Sequence, residues 1–201
     1  MENSKTKEKI ILAAIVLFSD RGYDNVSMRD IAAEVSIKAS SIYNHFPSKR
    51  DILKSIYSFY NEKHSALFIN MEEPLAWLEK ESFHDVFKKI NFSWPPEMQE
   101  TLERVILIAG QRMCLDKESE EFIGESFFKP QKELLVPLIK RAIKLGKIES
   151  IDVDIFMRLV MFYNLSCAGL NRTKMNLSLE QWKSGYDMIM SLLKPVKEKK
   201  R

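Results

Sequence analysis

The chain has 201 residues, 45% hydrophobic and 29% charged, a length and balance that exclude a disordered chain and allow one large or two small domains. No run of about 18 apolar residues is present, so no membrane span is expected. Met1–Lys9 lacks the apolar core of a signal peptide, and Cys114 and Cys167 have no metal-ligand spacing, so the expectation is a cytoplasmic protein without a metal or cofactor.

The small net charge of +3 is unevenly divided. Residues 1–64 carry 10 basic and 8 acidic side chains, residues 65–193 carry 16 and 19, and residues 194–201 carry 5 and 1. A mildly basic front, an acidic body and a basic tail fit a nucleic-acid reader with a second module of another kind. Only 6 Gly and 7 Pro break the chain, which favours long helices.

Taken in order, Ile10, Ala14, Leu17 and Phe18 stripe one face of a first helix that ends at Gly22. Ser27 and Asp30 have the spacing of a capping box and open a short helix carrying Ile31, Ala32 and Val35. A break near Ser36 leads to a second short helix over about Lys38 to Asn44. Ser48 and Asp51 repeat the start signal for a longer helix striped by Ile52, Ile56, Phe59 and Tyr60 and reaching towards residue 70. Further helices are predicted over about 75–91, from Trp94-Pro95-Pro96 to about Cys114, and from about Ser119 to Leu145. Pro130 and Pro137 kink or split the last of these. Asp152 or Asp154 then caps an apolar helix to about Asn171, and Ser178 caps one to about Leu193. The expected fold is all-α with nine or ten helices.

Two short helices separated by a tight turn, about residues 27–46, form a helix-turn-helix candidate. In such a unit the second helix needs small or polar side chains outward, so that its backbone can approach base edges in the major groove. Lys38, Ala39, Ser40, Ser41 and Asn44 are that set, while Ile37, Ile42 and Phe46 anchor the helix inward.

The run from Lys9 to Leu53 resembles the DNA-binding domain of the TetR family of bacterial transcriptional regulators. The resemblance is carried by Ala13-Ala14, Leu17-Phe18, Gly22-Tyr23, Val26-Ser27-Met28, Asp30-Ile31-Ala32, Ile42-Tyr43-Asn44-His45-Phe46 and Lys49 in that order and spacing. It covers roughly residues 4–64; the remainder matches in length and helical character alone. The resemblance implies DNA-backbone contacts from Tyr43, His45 and Lys49, with Ser27 and Arg29 as further candidates. Two positions depart from the family's pattern. Ser36 stands where a turn glycine is usual, which predicts a left-handed non-glycine residue there. Lys38 occupies a position often filled by a Ser or Thr cap, which loosens the definition of the recognition helix's start.

The resemblance further implies that residues 65–193 bind a small-molecule effector and dimerise, and that 194–201 is a basic tail. Candidate pocket residues are Phe68, Trp77, Phe87, Arg112, Met113, Phe127, Phe162 and Tyr163, although such side chains are core by default. Arg112 could meet an anionic ligand or a buried Glu, and both readings stand. His64 and His84 read as structural or solvent-exposed, Cys114 and Cys167 as small core hydrophobes, and the tail as a solvated end. The segment Ile155–Leu170 is apolar nearly all round, so it needs cover from its own domain or a second subunit. By resemblance, residues about 152–171 and 178–193 form a homodimer interface. A two-fold dimer implies double-stranded DNA with a palindromic operator.

The functional expectation is a repressor released from its operator by an effector. An effector-independent DNA binder is the alternative, weakened by the non-basic second region. An all-α enzyme is weaker still, because no phosphate loop, nucleophile elbow or paired His/carboxylate set is present.

Overall fold

The computed structural model describes residues 2–65, 72–92, 96–170 and 179–193, and it is helical without strands among them. Packing divides the chain into two units: Met1–Ala66 with Pro96–Gly124, and Leu67–Pro95 with Glu125–Arg201. The division is not linear. Residues 96–124 follow the expected boundary at 64/65 in sequence yet join the N-terminal helices in space.

In the first unit, α1 (Glu2–Arg21) buries Ile10, Ala14, Leu17 and Phe18, the stripe its periodicity specifies. Gly22, at φ 83°, ends it, and its N–H bonds Phe18 O at 3.0 Å. A 3₁₀ turn, Tyr23–Asn25, leads to α2 (Met28–Glu34). The Ser27 hydroxyl accepts from Asp30 N at 3.2 Å, and Ser27 N donates to the Asp30 carboxylate at 2.7 Å, closing the predicted capping box. Ser36 has φ 57°, the left-handed conformation expected of it. Bonds from Ser36 N to Ala33 O and from Ile37 N to Ala32 O close the end of α2 around it. Helix α3 (Ala39–Ile42) begins at Lys38 without a side-chain cap.

In α4 (Lys49–Ser65) the Ser48 hydroxyl accepts from Asp51 N at 3.2 Å, and Ile52, Leu53, Ile56 and Tyr60 are buried. Residues 66–71, where this helix was expected to continue, lie outside the described residues. The unit is completed by α7 (Pro96–Arg112) along α1 and by α8 (Lys117–Glu121) beside α4. Tyr57 stacks on Phe122 at 4.3 Å, and its hydroxyl meets that of Ser119 at 2.6 Å.

The second unit holds α5 (Glu72–Lys80), α6 (Phe83–Phe92), α9 (Lys129–Lys144), α10 (Val153–Leu170) and α11 (Leu179–Ser191). Its core gathers Leu78, Phe83, Phe87, Leu138, Phe156 and Tyr186. The single helix expected over 75–91 is two helices. Ser82 breaks it by accepting from Asp85 N at 3.1 Å, the same Ser-x-x-Asp signal as at Ser27. The predicted split near Pro130 occurs before it, in a π-helical segment Phe122–Phe128; Pro130 then falls in the first turn of α9 and Pro137 inside that helix. Asp152 caps α10 through Ile155 N at 3.0 Å, whereas Ser178 lies outside the described residues. No helix among the described residues is long and apolar enough to cross a membrane.

Candidate nucleic-acid interface

The α2–turn–α3 unit is fixed from below by Ile31, Ala32, Ile42 and Phe46, all buried. Fixing those four turns the rest of α3 outward. Lys38, Ala39, Ser40 and Asn44 are exposed, Ser41 is half-buried, and Tyr43 is 54% exposed although it is a large aromatic. Arg29 is exposed at the start of α2, and Ser27 is exposed with its hydroxyl engaged in the cap. His45 is half-buried, with its Nδ1 enclosed and unbonded. A short helix with a small-residue face, flanked by a Tyr hydroxyl, an imidazole and two cations, can lie in a groove and hold phosphate on both sides.

Lys49 is placed differently. Its ammonium donates to Tyr23 O and Val26 O, both at 2.8 Å, and lies 4.3 Å from the centre of the Tyr23 ring. Burial, reinforced by the nearby Arg112 cation, pushes its pKa below the ordinary lysine value. The side chain expected to contact phosphate is therefore spent inside the fold, tying the start of α4 to the connection between α1 and α2.

The same connection is also held by Arg112, whose guanidinium carbon lies 4.0 Å from the Tyr23 ring centre. Arg112 Nε donates to Asp116 at 2.6 Å, and Nη1 reaches Asp24 at 3.3 Å. Its partners in the structure are two Asp carboxylates of its own unit, not a buried Glu. Arg104, two turns earlier on α7, donates to the Ser19 hydroxyl and to Asp20, each at 2.6 Å. The pairings to Ser19, Asp20 and Asp24 span 84 to 88 residues, and no local sequence signal announces them.

A half-open cavity of about 360 Å³ lies beside this cluster, lined by residues including Tyr23, Arg50, Arg112, Asp116 and Glu118. Its charges already pair with one another, Arg50 with Glu118 and Arg112 with Asp116.

The expected pocket residues divide between the two units, and Phe87, Trp77 and Tyr163 share the core of the second. Arg112 and half-buried Met113 lie in the first unit; Trp77, Phe87, Phe127, Phe162 and Tyr163 lie in the second. Phe87 is core, packed against Phe156 and Tyr186, and Phe127 is buried. Phe162 is 68% exposed, Trp77 and Tyr163 are half-buried, and Phe68 lies outside the described residues.

Comparison with known proteins bears on the same segment. Residues 10–56 match the family model for bacterial regulatory proteins of the tetR family. The family match is confined to this N-terminal segment. A 46-residue stretch, 23% of this chain, is 54% identical to the biofilm operon icaADBC HTH-type negative transcriptional regulator IcaR of Staphylococcus aureus, covering 25% of that protein. A stretch of 69 residues is 36% identical to the HTH-type transcriptional regulator YuxN of Bacillus subtilis, covering 34% of this chain and 24% of that one. The chain thus spans about a quarter of the length of the curated relatives it matches. Over the whole length, a transcriptional regulator from Saccharomonospora viridis, solved in complex with choline, shares the fold at a TM-score of 0.71. It is 18% identical, with 95% of this chain and 99% of that chain covered. Similarity of fold therefore extends over nearly the whole chain, while close sequence similarity is confined to the N-terminal segment.

Proposed function

We propose that the chain is a TetR-type transcriptional repressor that binds a palindromic operator as a homodimer and is released by a small-molecule effector. The observation that carries this reading is the outward face of α3. Lys38, Ala39, Ser40 and Asn44 are held open on a rigidly capped unit, with Tyr43 exposed beside them. Base reading falls to α3, and phosphate contact to Tyr43, His45, Arg29 and the start of α2 at Ser27. That the matched relative IcaR is a negative regulator supports repression rather than activation.

Dimerisation is supported by α10 and α11. Ile155, Leu159 and Phe162 are exposed at i, i+4 and i+7, and Met188 and Leu192 at i and i+4. Such faces are what a helix pair leaves bare when its partner is a second copy. The effector falls to the second unit, where Trp77 and Tyr163 are half-buried candidates, while exposed Phe162 is assigned to the dimer face. Release would be a population shift of a few kcal/mol between a DNA-competent and a displaced arrangement.

The test is selection of binding sites from a random pool of duplex DNA with the full chain. Enrichment of an inverted repeat, lost with Tyr43→Ala while the melting temperature holds, is the expected result. Recovery of no common sequence would overturn operator reading.

A further inference from the structure

The ion pairs around the cavity of the first unit leave one atom over. Arg112 is held by Asp24 and Asp116, and Lys117 by Glu121. Arg50 donates from Nε at 3.0 Å and from Nη2 at 2.5 Å, and the Lys54 ammonium approaches at 3.6 Å, yet all three come to a single oxygen, Glu118 Oε1. Glu118 Oε2 is enclosed and has no partner. The cations on the cavity wall, Arg50, Arg112 and Lys117, are thus engaged, and the group left over is an acceptor that shares a full negative charge. An enclosed carboxylate oxygen without a donor costs free energy, which a donor brought from outside recovers.

The rest of the wall selects the kind of donor. Leu115 N and Asp116 N both bond Arg112 O, at 2.7 and 3.1 Å, and close the turn between α7 and α8. That turn holds Leu115 at the cavity, 67% exposed although it is a large aliphatic side chain. Cys114, a core residue by its sequence, is exposed in the same turn. Leu53, on α4, adds a second apolar side chain to the wall. A volume of about 360 Å³ is at the small end of the range for small-molecule sites. The Arg50 side chain is 63% exposed against 20% for Glu118, so the guanidinium can turn into water at little cost while the carboxylate stays.

We propose that this cavity binds a small organic cation, with its ammonium head on Glu118 and its apolar body against Leu115 and Leu53. The ligand takes the carboxylate that Arg50 and Lys54 of α4 share, and so loosens the tie between the start of α4 and α8. The site lies within the first unit and is separate from the effector site assigned above to the second. It stands whether or not the chain reads an operator.

The test is calorimetric titration of the full chain, without DNA, with primary amines from butylamine to 2-phenylethylamine, each set against the neutral alcohol of the same skeleton. Saturable binding of an amine about tenfold tighter than its alcohol is expected, the factor a charge-assisted bond supplies. Glu118→Gln should remove the advantage of amine over alcohol. Leu115→Ser, a change at an exposed side chain that leaves the fold intact, should weaken the amine severalfold. Glu120→Gln, which removes an exposed carboxylate of the same helix, should change neither. No saturable binding by any of the amines overturns the proposal. So does equal affinity for amine and alcohol, which leaves only an apolar crevice, and so does an amine advantage that survives in Glu118→Gln.

Discussion

Lys49 shows how one side chain can match a family pattern and do different work. A lysine on a helix start beside DNA is expected to meet phosphate, yet here two carbonyl oxygens and an aromatic face take up its ammonium. Val26, whose carbonyl it binds, is buried, so removing the donor leaves an acceptor that water reaches poorly. Lys49→Met should therefore destabilise the chain by about 1–3 kcal/mol in denaturant unfolding. It should also weaken operator binding by loosening Ser27, but without changing the salt slope, the slope of log affinity against log salt. A fall of about 0.9 in that slope per protomer would instead mean that Lys49 swings out to a phosphate in the complex. Ser36 is the opposite case, because its left-handed backbone was legible from the sequence. The turn demands positive φ whatever residue fills it, and the bonds that close α2 around it require the same conformation. Lys49 was not legible, because its partners Tyr23 and Val26 are placed by folding and not by spacing.

At the scale of elements, the same contrast separates helix ends from helix partners. Caps at Ser27, Ser48 and Asp152 involve atoms three residues apart, and the sequence shows them directly. The cap at Ser82 is equally local and splits what hydrophobic periodicity reads as one helix; the periodicity continues across the break because α5 and α6 bury their stripes in the same core. What periodicity cannot reveal is that α7 belongs with α1. Its buried face of Leu102, Val105, Ile108 and Ala109 would suit any apolar neighbour, and Arg104 and Arg112 identify α1 and the turn after it as that neighbour. Arg112 and Lys49 both lie against the Tyr23 ring, and the chain runs from there through Val26 into Ser27, the cap of α2. Arg112→Gln removes the charge that holds Asp116 and Asp24 and the cation over the ring. The expected result is faster amide exchange at Val26 and Asp30, whose N–H groups bond within this connection and its cap, and weaker operator binding at an unchanged salt slope. Unchanged exchange at those amides would show that Lys49 alone fixes the connection.

At the scale of the whole molecule, the apolar run Ile155–Leu170 posed a choice between cover from its own domain and cover from another subunit. Its own protomer covers one part of it: Phe156, Met157 and Val160 are buried, whereas Ile155, Leu159 and Phe162 face outward. Continuous hydrophobicity concealed this division, because two buried faces of one helix look the same in sequence as one helix buried all round. Met188 and Leu192 extend the bare surface onto α11. If a second copy covers it, a charge at its most exposed aromatic should separate the protomers without disturbing the fold, since Phe162 contributes nothing to the core. Phe162→Glu is therefore expected to halve the mass seen by light scattering while leaving helix content and the melting of the isolated protomer intact. Operator binding supplies a second reading of the same event. Two linked heads gain about 10²- to 10⁴-fold over one through effective concentration, so the variant should lose that factor on a full palindrome and almost nothing on a single half-site. Loss on both duplexes alike would place Phe162 in the path between effector and head. No loss on either would mean that the chain reads its operator one head at a time, and the exposed faces of α10 and α11 would then serve something other than the dimer.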